Sequence, residues 1–167
     1  MKISYFSLKN FILNPSNFRI YSASAGSGKT YTLTQSYLKI LLQFHKREAF
    51  KSILSLTFTN KAVEEMKVRI VDTLHIFSRY QNFEDTDTMF QTLCTDLKLP
   101  PNELKDRAAK VLKQIVHNYS AFNVTTIDGF IHRLIRTFAH DIKLPVNFEV
   151  ELETEKLINE AVDQLLA

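Results

Sequence analysis

Ala23-Ser24-Ala25-Gly26-Ser27-Gly28-Lys29-Thr30 is the stretch on which the reading of the fold turns. It holds two of only three glycines in 167 residues, against an average share near ~7%. Glycine sits where the backbone must turn left-handed or approach another group closely. Upstream, Phe18-Arg19-Ile20-Tyr21-Ser22 reads as a short strand. Downstream, from Thr30 to Phe44, Leu33, Tyr37, Ile40, Leu41 and Phe44 recur at helical spacing. A strand, a glycine-containing turn ending in Gly-Lys-Thr and a helix make a loop whose backbone N–H groups converge on phosphate, with the helix dipole behind them. The pattern is G-x-x-x-x-G-K-[ST], here with Ala23 at the first glycine position. Ala23 through Thr30 are thus the candidate nucleotide-binding residues. Lys29 is the candidate partner of the β- and γ-phosphates, and the Thr30 hydroxyl the candidate Mg²⁺ ligand.

Working outward, Ile53-Leu54-Ser55-Leu56-Thr57-Phe58 reads as a second strand, apolar nearly throughout, as a buried parallel strand would be. Thr59 or Asn60 can cap the helix that follows, with Glu64 and Glu65 placed in its first turn. Val63, Met66, Ile70, Leu74 and Phe77 form its stripe. Strand, loop, helix, strand, helix is the pattern of a parallel sheet covered by helices, with both strands expected in one sheet. A capping signal at residues 85–88 precedes a short helix to about Leu97, and Pro100-Pro101 marks a break and a new helix start. Leu104, Ala108, Val111, Leu112, Ile115 and Tyr119 line that helix. Asn123-Val124-Thr125-Thr126 reads as a third strand, followed by a dense stripe of Ile127, Phe130, Ile131, Leu134, Ile135 and Phe138. Pro145 ends that region, and a last helix from Thr154 carries Leu157, Ile158, Ala161, Val162, Leu165 and Leu166. Ala167 falls within that pattern with no stop signal, so the sequence reads as a piece of a longer chain.

Charge divides unevenly. Residues 1–79 hold 12 Lys+Arg against 4 Asp+Glu, a net of +8, and residues 80–167 hold 9 against 14, a net of −5. The basic half suits a phosphate-rich partner, or is simply a solvated face. One cysteine, Cys94, excludes an internal disulfide. No signal peptide and no apolar run of membrane-spanning length is visible, so a cytoplasmic, non-membrane protein is expected. His75, His117, His132 and His140 lack metal-ligand spacing and read as structural, Cys94 as a small buried apolar residue, and the Phe and Tyr residues at helical spacing as core.

Leu56-Thr57-Phe58-Thr59-Asn60-Lys61-Ala62 is a strand-to-helix turn on the sheet edge of the phosphate loop, where parallel sheets bind ligands. Phe58 is either core, with Asn60 a cap, or a stacking face beside polar donors for single-stranded nucleic acid. A resemblance bears on that choice. Ala23–Thr30 resembles motif I of the superfamily 1 helicases of the UvrD/Rep/RecB type. Leu56 to Met66 and on through Arg69-Ile70 resembles their motif Ia, and Thr126-Ile127-Asp128-Gly129-Phe130 with Leu134-Ile135-Arg136 resembles motif Ib. Tyr21-Ser22-Ala23-Ser24-Ala25 is most similar to the RecB/AddA branch. The resemblance implies a P-loop NTPase (RecA-like) α/β fold with part of an inserted helical subdomain. Residues 1–79 would be motor core, 80–122 a helical insertion, 123–145 a return to the core, and 146–167 the start of a helical subdomain. It implies ATP and Mg²⁺ as cofactors, single-stranded DNA as partner, a possible nuclease subunit, and work in DNA repair or recombination. Phe58, Thr59, Asn60, Thr126 and Asp128 become candidate DNA contacts. Many members have histidine where this chain has Asp128, and an anionic side chain repels phosphate, so Thr126 is the stronger of that pair. No glutamine precedes residue 23 to read adenine.

Turnover needs an acidic group for Mg²⁺ and another to position water. No Asp-Glu dipeptide occurs in the chain, and Val124-Thr125-Thr126-Ile127-Asp128 makes a poor substitute for the helicase version. The expectation is nucleotide binding without turnover by these residues. Two other readings stay open: a small P-loop kinase with Asp128 as its acid, and a non-catalytic nucleotide-binding remnant.

Overall fold

The computed structural model describes residues 2–4, 20–22, 28–44, 48–81, 87–139, 141 and 154–166. Strands β1 (Lys2–Ser4) and β2 (Ile20–Ser22) pair antiparallel, Lys2 opposite Ser22. Helix α1 (Lys29–Gln43), a 3-10 turn at Ala49–Ser52, β3 (Ser55–Thr57) and α2 (Asn60–Arg79) follow. Then come α3 (Thr88–Leu97), α4 (Pro101–His117), a 3-10 turn at Tyr119–Ala121, β4 (Val124–Thr126), α5 (Ile127–Phe138) and α6 (Thr154–Leu166). β3 and β4 pair in parallel, Ser55 opposite Val124 and Thr57 opposite Thr126. The chain is therefore a helix-rich α/β structure with a small parallel sheet. The two strands expected to share a sheet do not do so among the described residues: β2 pairs with β1, and β3 with β4. The partner of β3 comes from far along the chain. The return from α4 lays Asn123 beside it, and the Ser55 N–H donates to the Asn123 carbonyl at 2.9 Å, just ahead of the ladder.

Local signals set the helix starts. The Thr59 hydroxyl accepts from the Ala62 N–H at 3.2 Å and caps α2, so Asn60 is the first helical residue and Glu64 and Glu65 fall in the second turn, not the first. Asp87 caps α3 through the Phe90 N–H at 2.8 Å. Pro101 opens α4, where its missing N–H costs no helical bond. The Thr126 hydroxyl caps α5 through the Gly129 N–H at 3.1 Å.

One hydrophobic core joins α1, α2, α3 and α4. α2 contributes Met66, Ile70, Leu74 and Phe77, as its stripe predicts, with Val63 partly buried at the margin. Phe77, Tyr80 and Phe90 form an edge-on aromatic cluster with centroids 4.9–5.0 Å apart for the two pairs involving Phe90. α4 adds Leu104, Ala108 and Ile115, while Tyr119 lies past its end and is exposed. On α1 the buried face is Thr34, Tyr37, Leu38, Leu41 and Leu42, so Leu33, Ile40 and Phe44 face outward, contrary to the expected stripe. Thr34 can turn inward because its hydroxyl donates to the Thr30 carbonyl at 2.9 Å and so enters the core already satisfied. Arg107 of α4, largely buried, donates to the Leu42 carbonyl at 2.8 Å and to Glu103 at 2.6 Å. It thereby supplies the cation that the last turn of α1 lacks.

The later helices differ. α5 has no buried residue, and Ile131, Leu134 and Phe138 are exposed. On α6, Ile158, Val162, Leu165 and Leu166 are exposed as well. The expectation that aromatics at helical spacing are core therefore holds for Tyr37, Phe77 and Phe90 and fails for Phe44 and Phe138. No helix among the described residues is long and apolar enough to cross a membrane.

Candidate functional site

The phosphate-loop candidates divide at Gly28. Ala23, Ser24, Ala25, Gly26 and Ser27 lie outside the described residues. Gly28 has φ 83° and ψ 20°, the left-handed region that favours glycine, and a Cβ there would meet nothing within 4 Å. Backbone conformation, not space, is therefore what asks for glycine. Its carbonyl accepts from the Thr32 N–H at 2.9 Å. Lys29 and Thr30 are the first residues of α1, and both are exposed. That helix start has no side-chain cap and no acidic residue in its first turn. The N-terminal end of a helix carries the positive end of its dipole, and Lys29 is the first residue there.

A cavity of about 360 Å³ opens one residue further on. Tyr31 and Thr34 of α1, Arg69, Thr73 and Ile76 of α2, and Asp87, Thr88 and Met89 at the start of α3 line it. It combines a half-exposed aromatic ring, several hydroxyls, one guanidinium and an apolar floor, as small-ligand pockets do. The Asp87 carboxylate is already committed: it caps α3 and accepts from the Tyr80 hydroxyl at 2.9 Å. Burial, foremost, pushes that hydroxyl above the usual tyrosine range. Sequence reading missed this pocket. Its signals were the aromatic residue directly after Lys29-Thr30 and the i, i+4, i+7 series of Arg69, Thr73 and Ile76 beside the core stripe of α2.

The second set of candidates gathers at one sheet edge. Thr57 and Thr126 are opposite each other in the parallel ladder. The turn Phe58-Thr59-Asn60 after β3 and the turn Thr126-Ile127-Asp128 after β4 therefore leave the sheet side by side. Phe58 is 87% exposed, which removes the reading of it as core. Thr59 and Thr126 each cap a helix, so α2 and α5 begin next to each other with their N-terminal ends on the same edge. Asp128 is exposed in the first turn of α5, where a carboxylate suits the helix dipole. The glycine after it is placed by space: a Cβ on Gly129 would stand 2.9 Å from the Thr125 hydroxyl and 3.0 Å from that of Thr126.

The sequence model of the UvrD/REP helicase N-terminal domain matches residues 8–167. The chain belongs to that family. This UvrD/REP-type domain is 31% identical over 136 residues to the RecBCD enzyme subunit RecB of Buchnera aphidicola from Acyrthosiphon pisum, covering 77% of the chain and 11% of the relative. It is 29% identical over 153 residues to the subunit of that name from Haemophilus influenzae, covering 83% and 12%. It is 28% identical over 148 residues to an ATP-dependent helicase/nuclease subunit of Clostridium botulinum strain Kyoto, covering 87% and 10%. The domain thus spans about a tenth of the length of these relatives.

The remaining titratable candidates play no visible part in either set. His75 and His117 are exposed, His132 is half-buried on α5, and His140 lies outside the described residues. Cys94 is partly buried against the core, and burial pushes its thiol up. Among the described residues no group of three or more His, Cys, Asp or Glu could hold a metal.

Proposed function

We propose that this chain is the nucleotide-binding front of an ATP-dependent DNA helicase or translocase that works on single-stranded DNA in repair or recombination. The observation that carries the reading is the start of α1: a left-handed Gly28 followed by Lys29 and Thr30 at an uncapped helix N-terminus. In this reading Ala23 to Thr30 wrap the phosphates of ATP, Lys29 neutralises the β- and γ-oxygens, and Thr30 ligates Mg²⁺. Mg²⁺ supplies charge neutralisation on the phosphates when bound. The nucleoside extends toward the cavity beside Tyr31 and Arg69, whose ring and guanidinium offer flat faces to a base. Residues 1–79 and 123–145 act as motor core of a RecA-like fold, 80–122 as a helical insertion, and 146–167 as the beginning of a helical subdomain.

The paired turns after β3 and β4 bind the DNA. Phe58 stacks on a base, and Thr59, Asn60 and Thr126 donate to the backbone, with Asp128 at the margin. A nuclease subunit or domain is the proposed companion, by analogy with relatives whose names contain that word. Membership of the helicase family favours this reading over a small kinase that would use Asp128 as its acid. With no Asp-Glu pair in the sequence, these residues bind nucleotide and do not turn it over.

A fluorescent ATP analogue titrated with Mg²⁺ tests the core of the proposal. Wild type binds, and Lys29→Ala weakens binding roughly tenfold or more, the scale of a hydrogen bond to a charged group at about 1.5–3 kcal/mol. Equal binding by both proteins would remove the phosphate-loop assignment. Phosphate release by the wild-type chain that Lys29→Ala abolishes would overturn the absence of turnover.

A further inference from the structure

α5 carries two of the proposed DNA-facing residues at its start yet buries no side chain. Its attitude toward the β3 turn is therefore not set by the hydrophobic core. Beyond its continuation from β4 and its packing beside β3, its described polar and close contacts include the Thr126 cap, the close seat of Gly129 on Thr125 and Thr126, and a hydrogen bond from the Arg133 Nη1 to the Asn123 Oδ1 at 3.0 Å. Asn123 is half-buried and uses its other groups inward. Its side-chain N–H donates to the Lys51 carbonyl at 3.0 Å, and its own carbonyl accepts from the Ser55 N–H at 2.9 Å. Lys51 is paired with Glu48 at 2.8 Å. Glu48 takes a left-handed backbone with φ 60°, and its N–H donates to Gln114 of α4 at 3.0 Å, while Asn118 donates to its carboxylate at 2.9 Å. A continuous polar chain thus runs from α5 through Asn123 to the segment entering β3 and on to α4.

We propose that Asn123 is a positioning residue for nucleic-acid binding, with Arg133 as its lever on α5. The β3–β4 ladder sets the two turns side by side; by holding Arg133 against the Lys51 carbonyl, Asn123 fixes the angle of α5 to that edge and so keeps Thr126-Asp128 level with Phe58-Thr59-Asn60. Asn123 itself touches no ligand. The proposal rests on the reading of those turns as a DNA edge.

Two measurements on the 167-residue chain test it: fluorescence anisotropy with a short labelled oligothymidine, and hydrogen exchange over α5. Asn123→Ala and Arg133→Ala each weaken binding about threefold to fivefold, the loss of one charge-assisted hydrogen bond discounted for exposure. The double variant is no weaker than Asn123→Ala alone, because that variant already removes the Arg133 bond together with the bond to the Lys51 carbonyl. The salt dependence of Asn123→Ala matches wild type, since no phosphate contact is lost. Amides of α5 exchange faster in both single variants, while those of α2, held by the core, do not change. Additive losses, or unchanged α5 exchange in Asn123→Ala, would overturn the lever. Wild-type binding that Asn123→Ala leaves intact overturns the positioning role while sparing the DNA reading. A wild type that does not bind oligothymidine, with Phe58→Ala equally inert, sinks the DNA reading and the positioning role together.

Discussion

Helices α2 and α5 start side by side from the ends of paired parallel strands, each with a threonine hydroxyl accepting a first-turn N–H. Both sequences carry an apolar stripe at helical spacing. α2 buries Met66, Ile70, Leu74 and Phe77 against α1, α3 and α4, whereas α5 has no buried residue and, among the described residues, packs chiefly beside β3 and β4. The same local grammar thus yields a core helix in one place and a surface helix in the other. What separates them is the company each keeps. Twenty residues of α2 run through the middle of a four-helix layer, while the twelve of α5 continue from β4 with no helix of that layer packed along its length.

The largest effect that could break this comparison is a pair of truncations. Phe77→Ala should cost about 3–5 kcal/mol, as for a fully buried phenylalanine in an aromatic cluster. Phe138→Ala, half-exposed on α5, should stay within about 0.5 kcal/mol. Urea unfolding of both variants reads the difference, and equal losses would put the α5 stripe into a core.

The two described glycines sharpen the contrast next. Gly129→Ala forces a methyl against two hydroxyls and should destabilise by about 1–3 kcal/mol. Gly28→Ala meets no atom and should cost only the left-handed strain, about 1–2 kcal/mol, while impairing nucleotide binding. Thr125→Ser keeps the hydroxyl against Gly129, whereas Thr125→Ala makes room. If Thr125→Ala fails to relieve any of the Gly129→Ala loss, the close seat of α5 on β4 is not the cause.

The caps are smaller still. Thr59→Ala and Thr126→Ala should each cost about 1 kcal/mol of helix stability. The first should appear in global unfolding, because α2 belongs to the core, and the second mainly as faster exchange in the first turn of α5. Identical behaviour in the two assays would erase the distinction between the helices.

The smallest expected effect lies inside the core. The Tyr37 hydroxyl is buried without a hydrogen-bond partner among the described residues, and burial pushes its pKa well above the usual value. Tyr37→Phe removes an unsatisfied group and should be neutral or stabilising by up to about 1 kcal/mol. The raised folded-state pKa also fixes a sign. The folded state keeps its proton where the unfolded one loses it, so wild-type stability falls as pH rises above about 10, and Tyr37→Phe should flatten that decline. Denaturation midpoints on either side of that pH, compared between the two proteins, check it.

Much of the site is legible in short stretches of chain. Gly28-Lys29-Thr30 at a strand–helix junction needs only the phosphate-loop pattern, and Thr59, Asp87 and Pro101 announce helix starts through groups within three residues of one another, whereas Thr126 reads as strand and only the structure shows it capping α5. The cavity is not legible in this way, because its walls come from three helices and nothing local ties Tyr31 to Arg69 or Thr88. Nor is the exposure of Phe58, whose neighbours alone allow it to be core or surface.

The sequence by itself determined where helices begin to within a residue or two, that the turn before Lys29 needs glycine, and that Lys29 and Thr30 stand at a helix N-terminus, because capping, φ and periodicity act over one turn of chain. Only the tertiary structure decided that Thr34 rather than Leu33 faces inward, that β3 pairs with β4, and that the α2 stripe is buried while the α5 stripe is not. Those outcomes depend on which distant surfaces meet. Burial and strand pairing are long-range competitions that an apolar stripe can enter but cannot settle.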